Sequence, residues 1–288
     1  MNSTLLKNHP TDLPPALQEA IRVNVAGAIA EDIGNGDLTA LLVPAEKIVK
    51  ATIICRERAV ICGIPWVEAC FEQIAPGSEI TWKINEGDKV SPGQVLCEIS
   101  GNARALLTAE RCALNFLQAL SATATVTKQF VDAVAGTSAR IMDTRKTIPS
   151  MRLAQKYAVT VGGGLNQRLG LYDGILIKEN HIAAAGSIGA VLQAASDIDA
   201  KVSIQIEVET LEQLATAIDA GARLILLDNF SIELLREAVQ LNASRAVLEA
   251  SGGISLDNVR EIALTGVDRI SIGGLTKHIQ AIDLSMRF

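Results

Sequence analysis

The chain has 288 residues, 49% of them apolar, 20% charged and 3% aromatic, enough apolar mass for one large core or two smaller ones. A formal net charge of −6 argues against nucleic acid or an anionic membrane as partner. No apolar run approaches the roughly 18 residues of a membrane span. Cys55, Cys62, Cys70, Cys97 and Cys112 are odd in number and lack CxxC spacing. They predict reduced core thiols in a cytoplasmic protein, and neither disulfides nor zinc ligands. The polar, proline-broken opening MNSTLLKNHPTDLPP does not have the pattern of a secretory leader.

Residues 13–31 have helical spacing, with Leu17, Ile21, Val25 and Ile29 on one face. The acidic, glycine-punctuated stretch Glu31–Asp37 that follows reads as a loop capped through Asp37. From 48 to 99 short alternating strands flank a short helix at Pro65–Phe71. Within them EGDKVSPGQVLCEI resembles the hairpins of lipoyl- and biotin-carrier domains, but Lys83 and Lys89 lack the setting of a modified lysine. Residues 101–136 form one or two helices that can bury Leu106, Leu114, Leu117 and Phe130 and stop at Gly136. Arg111, beside Cys112, Ala113 and Leu114, is the odd residue there; an ordinary snorkelling arginine is the plain alternative.

Beyond 137 a repeat sets in. Apolar strands end at Asp143, Lys178, Glu207, Asp228, Ser251 and Gly273, the last four ends at intervals of 21, 23 and 22 residues. Helical patterns such as TLEQLATAIDAGA and SIELLREAVQLNA lie between them. Strand–helix alternation with near-continuous apolar strands predicts a parallel sheet covered on both faces, closing toward an α/β barrel. In such barrels the site lies at the carboxyl ends of the strands. Asp143, Thr144, Arg145, Lys146, Lys178, Glu207, Asp228, Ser251–Gly253 and Gly273–Gly274 would all face one mouth. Any one of these can serve as a cap; the ring of them points to a site.

Residues 143–181 carry six cations, Arg145, Lys146, Arg152, Lys156, Arg168 and Lys178, against the negative balance of the whole chain. They suit a ligand with more than one carboxylate, because arginine grips a carboxylate through two parallel hydrogen bonds. Ser251-Gly252-Gly253 and Ile272-Gly273-Gly274 follow late strands just before expected helix starts, where backbone N–H groups can meet a phosphate. Glu207 and Asp228 suit Mg²⁺ held together with substrate phosphates, or sugar hydroxyls. No Ser–His–Asp or Cys–His arrangement is suggested, and a three-histidine zinc site would need His9 from the opening stretch.

DTRKT, GGGLNQRLGL, GILIKENHI, EVET, LLDNF, EASGGI and ISIGGLTKH, with AERCALNFLQALS before them and AIDLSMRF at the end, resemble the quinolinate phosphoribosyltransferases. The resemblance runs essentially end to end. It implies transfer of phosphoribosyl from phosphoribosyl pyrophosphate to quinolinate with decarboxylation, giving nicotinate mononucleotide, CO₂ and pyrophosphate. It implies an N-terminal α/β sandwich, hammerhead-like, over residues 1–112 joined by 276–288, and an incomplete α/β barrel with parallel strands over 113–275. Arg145, Lys146, Arg168 and Lys178 would hold the quinolinate carboxylates, Thr144 beside them, and Arg111 would reach in from the other subunit of a homodimer. Glu207 and Asp228 would hold the ribose and the Mg²⁺–pyrophosphate part, and Ser251–Gly253 with Ile272–Gly274 the 5′-phosphate. Lys146, Glu207 and Asp228 are the expected catalytic set, Mg²⁺ the metal, with no organic cofactor. The family commonly has histidine where this chain has Gln167; glutamine can hydrogen-bond but carries no charge, so it is a positioner at most.

Three other readings stay open at this point: a nicotinate phosphoribosyltransferase, which would not decarboxylate; a barrel lyase using Lys178 as a Schiff-base nucleophile; and a carrier or binding protein built on the hairpin.

Overall fold

The computed structural model describes residues 13–198 and 201–288. His9 therefore lies outside the described residues. The chain forms two compact units. One comprises the residues up to Lys128 with Ile148–Gly163 and Thr276–Phe288; the other comprises Gln129–Thr147 and Gly164–Leu275.

In the first unit α1 (Pro15–Ile33) buries Leu17, Ile21 and Val25, the face that the spacing predicts, and Ile29 packs partly buried on the same core. Proline in the first helical turn suits α1, because its missing N–H has no intrahelical partner to lose. Asp37 accepts from the N–H groups of Thr39 (2.9 Å) and Ala40 (3.0 Å), capping a single 3₁₀ turn, as the loop pattern suggests. Then come β1 (Ile48–Cys55), β2 (Ala59–Val60), α2 (Ile64–Ile74), β3 (Glu79–Trp82), β4 (Lys89–Val90), β5 (Val95–Asn102) and α3 (Ala103–Ala133). β1, β5 and β3 pair antiparallel, and the terminal strand β12 (Leu284–Arg287) adds beside β1, with Ile53 opposite Met286. β2 and β4 form a separate two-stranded ribbon.

Sequence reasoning drew a boundary after residue 112. That point lies inside α3, one unbroken helix of 31 residues whose side chains as far as Ala124 pack into the first core. Ala154, Ala158 and Val161 of α4 (Arg152–Val161) pack there too, so this stretch belongs to the first unit. Gly162 follows α4 at close quarters with α3: a Cβ there would stand 2.5 Å from the Ala124 carbonyl oxygen.

The second unit holds six parallel strands: β6 (Arg140–Met142), β7 (Gly174–Ile177), β8 (Ser203–Val208), β9 (Leu224–Asp228), β10 (Val247–Ser251) and β11 (Arg269–Ser271). Their spatial order is β6-β11-β10-β9-β8-β7, so the first strand in sequence lies beside the last. That order is a barrel's, but β6 and β7 do not pair. A single parallel bridge, Met142 to Leu165, occupies the gap. The barrel is incomplete there, as the family resemblance implies.

Crossover helices α5 (Glu179–Ala185), α6 (Ile188–Asp197), α7 (Leu211–Asp219), α8 (Ile232–Asn242) and α9 (Val259–Ala263) connect successive strands, and α10 (Gly274–Lys277) follows the last. Ser187, Thr210 and Ser231 accept from the N–H groups of Ala190, Gln213 and Leu234, the hydroxyl cap that starts a helix. Among the described residues no helix is long and apolar enough to cross a membrane.

Candidate active site

The carboxyl ends of the parallel strands bring together most of the residues expected at one mouth. Registers are in phase: Glu207 lies opposite Leu226, Leu226 opposite Glu249, and Asp228 opposite Ser251. Side chains two apart share a face, so Glu207, Asp228, Glu249 and Ser251 all point to the same side of the sheet.

β6 delivers Asp143, fully buried, and then the turn Thr144-Arg145-Lys146. Thr144 Oγ1 accepts from the Lys146 N–H at 3.0 Å, which tightens that turn. The loop crossing the gap between β6 and β7 carries Arg168, whose Nη1 donates to the Gly174 carbonyl at 2.8 Å. Asp173 secures the same loop by accepting from the N–H groups of Leu169 (2.7 Å) and Gly170 (2.8 Å). Burial, and then the charge of Arg145, hold the Arg168 guanidinium below its ordinary value, while Asp173 pulls the other way. The Asp143 N–H donates to the Leu165 carbonyl (3.1 Å) and the Gln167 N–H to Asp143 Oδ1 (2.8 Å), so the loop carrying Arg168 is tied to the end of β6, just ahead of Arg145, and the two like charges share one side of the mouth. Such an arrangement is stabilised by a ligand with two negative groups.

Lys178 stands at the end of β7, half exposed, with its Nζ 3.1 Å from a Glu207 carboxylate oxygen. The Lys178 N–H donates to Nδ1 of His181 (3.0 Å), which fixes the start of α5. A grip residue expected for one substrate and a carboxylate expected for the other are therefore an ion pair. Asp228, at the end of β9, accepts from Asn229 Nδ2 at 2.8 Å.

The glycine pairs differ from each other. Gly252 and Gly253 both take left-handed backbone (φ +99° and +61°), and a Cβ on Gly252 would run into the Asn229 carboxamide. Glycine is required there. A loop of residues 254–258 separates them from α9, so this pair does not open directly onto a helix as expected. Gly274 does begin α10, though that helix has only four residues. The Ile272 N–H continues the β6 ladder to the Met142 carbonyl at 3.0 Å. A Cβ on Gly273 would lie 2.9 Å from Lys146 Cδ, so the second glycine pair sits beside the Lys146 side chain.

Arg111 is exposed on α3 in the first unit. Arg152 and Lys156, on α4, belong to that unit as well, and Lys156 is buried. Sequence reasoning passed over Gln205, Glu249, His181 and Asn229. The first two carried a signal: a polar side chain at an alternate position of an otherwise apolar strand (SIQIE, VLEAS) must face the barrel interior. Among the described residues no group of three or more His, Cys, Asp or Glu side chains is gathered to hold a metal. Glu207 and Asp228 are hard oxygen donors of the kind Mg²⁺ uses when most of its ligands are water and phosphate.

Family models describe the quinolinate phosphoribosyl transferase N-terminal domain over residues 37–121 and the C-terminal domain over residues 123–287. The chain belongs to that family. It is 41% identical over 275 residues to the nicotinate-nucleotide pyrophosphorylase [carboxylating] of Mycobacterium leprae, covering 93% of this chain and 97% of that one. A probable enzyme of the same name from Bacillus subtilis is 41% identical over 257 residues, 89% of each chain. Among solved structures, the nicotinate-nucleotide pyrophosphorylase from Francisella tularensis superposes with a TM-score of 0.90 at 41% identity, covering 99% of both chains.

Proposed function

We propose that this chain transfers phosphoribosyl from phosphoribosyl pyrophosphate to quinolinate and removes one carboxylate, making nicotinate mononucleotide for NAD synthesis. The observation that carries this is the placing of Arg145, after β6, and Arg168, on the loop bonded to the end of β6, at the mouth of a barrel of this family. Two carboxylates on adjacent ring carbons match two guanidiniums better than one does. That pairing disfavours nicotinate, a monocarboxylate, as the acceptor.

The pyridine nitrogen attacks C1 of the ribose and the bond from C1 to the pyrophosphate oxygen breaks. Positive charge builds on the sugar in the transition state, as in glycoside cleavage. Arg145, Arg168, Lys146 and Lys178 hold the ring by its carboxylates, so that its nitrogen is presented to C1. Glu207 and Asp228 bind ribose hydroxyls and offer the donor set for Mg²⁺. When bound, the metal neutralises charge on the leaving pyrophosphate. Ser251–Gly253 and Gly273–Gly274 hold the 5′-phosphate through backbone N–H groups, while the Ile272 N–H stays bonded to the Met142 carbonyl. The alkylated nitrogen is now a pyridinium. The bond from C2 to its carboxylate breaks, CO₂ leaves, its electron pair is stabilised by that nitrogen, and C2 takes a proton. Fixed charges supply the field for both steps, with no organic cofactor.

The working form is a homodimer in which Arg111 of one subunit completes the mouth of the other. Exposure of Arg111 on α3, away from any role in its own core, supports this. Five free, buried cysteines support a reducing, cytoplasmic setting. Steady-state assays with quinolinate and with nicotinate test the acceptor: quinolinate is expected to be consumed and nicotinate to give no nucleotide. Equal turnover of both would overturn the dicarboxylate reading.

A further inference from the structure

Glu249 lies in the middle of the apolar strand β10, with none of its surface exposed. A buried carboxylate is tolerated only when its oxygens are well supplied with donors. Both oxygens accept from Gln167 Nε2, at 2.5 and 2.6 Å, and one accepts from Gln205 Nε2 at 3.1 Å. Gln167 Nε2 also lies 3.1 Å from Gln205 Oε1, its two hydrogens shared among these three acceptors, so the three side chains close a ring.

Gln167 is the member of this ring that reaches the mouth. Its amide nitrogen is turned inward to Glu249. Its Oε1 accepts from the Arg168 N–H at 3.3 Å, and its own N–H donates to Asp143 Oδ1 at 2.8 Å. The loop bearing Gln167 and Arg168 fills the place where β6 and β7 fail to pair. It is laddered at Leu165 and pinned again by Asp173. Between those points Glu249 and Asp143 hold it.

We infer that Glu249 is a positioning residue, a buried carboxyl group that anchors Gln167 and thereby sets where the Arg168 guanidinium stands. The inference rests on the reading that Arg168 binds a quinolinate carboxylate. Gln205 shares the load, which explains an amide facing inward two residues before Glu207.

The test uses the purified full chain. Glu249→Gln keeps size but places a second amide group against that of Gln167. It is expected to raise KM for quinolinate by about tenfold or more, with KM for phosphoribosyl pyrophosphate changed by less than about twofold and the melting temperature little altered. Equal rises in both KM values, or a lower melting temperature with KM unchanged, would overturn the inference in favour of a purely structural role. A second measurement needs no turnover. Gln167→His puts an imidazole against Glu249, and its NMR titration is expected above the ordinary value of about 6.5. In the double variant Q167H/E249Q it should fall by about one unit or more. Gln205, Asp143, Arg168 and every other group around position 167 are the same in both proteins, so the difference isolates Glu249. The same titration in single and double variants would contradict the inference even if quinolinate turnover is normal. Failure of turnover in the unaltered protein would count against the site reading alone.

Discussion

Arg145 and Arg168 hold like charges together in a partly buried mouth, and the Arg168 guanidinium is depressed by burial and by its neighbour. A planar fork with fixed donors suits that position better than an ammonium, because Nη1 is already committed to the Gly174 carbonyl while the rest of the group remains for a ligand. Arg168→Lys keeps the charge and loses the fork. Loss of one charge-assisted hydrogen bond, about 1.5–3 kcal/mol, corresponds to roughly 10- to 100-fold in kcat/KM for quinolinate. Steady-state kinetics would check this; a change under about threefold would mean the fork is not used. At this scale the place of a residue was readable where it lies at a strand's carboxyl end, as with Lys178 just after β7, Glu207 near the end of β8 and Asp228 at the end of β9. It was not readable where the partner is remote. Nothing local to Gln167 announces Glu249, 82 residues further on, nor does the spacing of Lys178 and Glu207 announce their ion pair.

The elements follow from periodicity, which is a local property. The apolar spacing of α1, α7 and α8 and the short apolar strands of the barrel lie close to where they were expected, and Ser or Thr caps mark three helix starts. Long-range caps escape such reading. α2 begins at left-handed Gly63 with no cap of its own; instead Glu86 accepts from the Gly63 N–H (2.8 Å) and the Ile64 N–H (3.0 Å). Burial pushes the Glu86 carboxyl up, outweighing the two backbone N–H bonds that draw it down. Its folded state therefore binds a proton more tightly than an unfolded chain, whose value is about 4.3. The stability so gained is complete below that value and is lost as pH rises through the folded one. Melting temperatures of the protein minus those of Glu86→Gln should accordingly fall as pH rises from about 4.3 toward neutrality. A difference that stays flat or grows with pH would show that Glu86 is not held in this way. Gly162, the first of three consecutive glycines, is another case of remote cause: it serves the close approach to Ala124 of α3.

For the molecule as a whole, the parallel repeat was legible because each unit of strand and helix is local. The division into two units was less so: α3 runs past residue 112 without a linker, and Ile148–Gly163 returns to the first unit from the middle of the second. Assembly carries its own prediction. If Arg111 acts across a dimer, Arg111→Ala and Lys178→Ala chains are each inactive. Randomly mixed dimers then regain about a quarter of the original activity, because half the dimers are mixed and each has one intact mouth. Activity of mixed dimers verified by native mass spectrometry checks this, and no recovery would place Arg111 outside the site. The central claim, decarboxylation coupled to phosphoribosyl transfer, is tested most directly by quinolinate labelled in its C2 carboxylate. Released CO₂ is predicted to equal nicotinate mononucleotide formed, and both to require phosphoribosyl pyrophosphate. Release of CO₂ without that donor, or a nucleotide that retains both carboxylates as final product, would contradict the account.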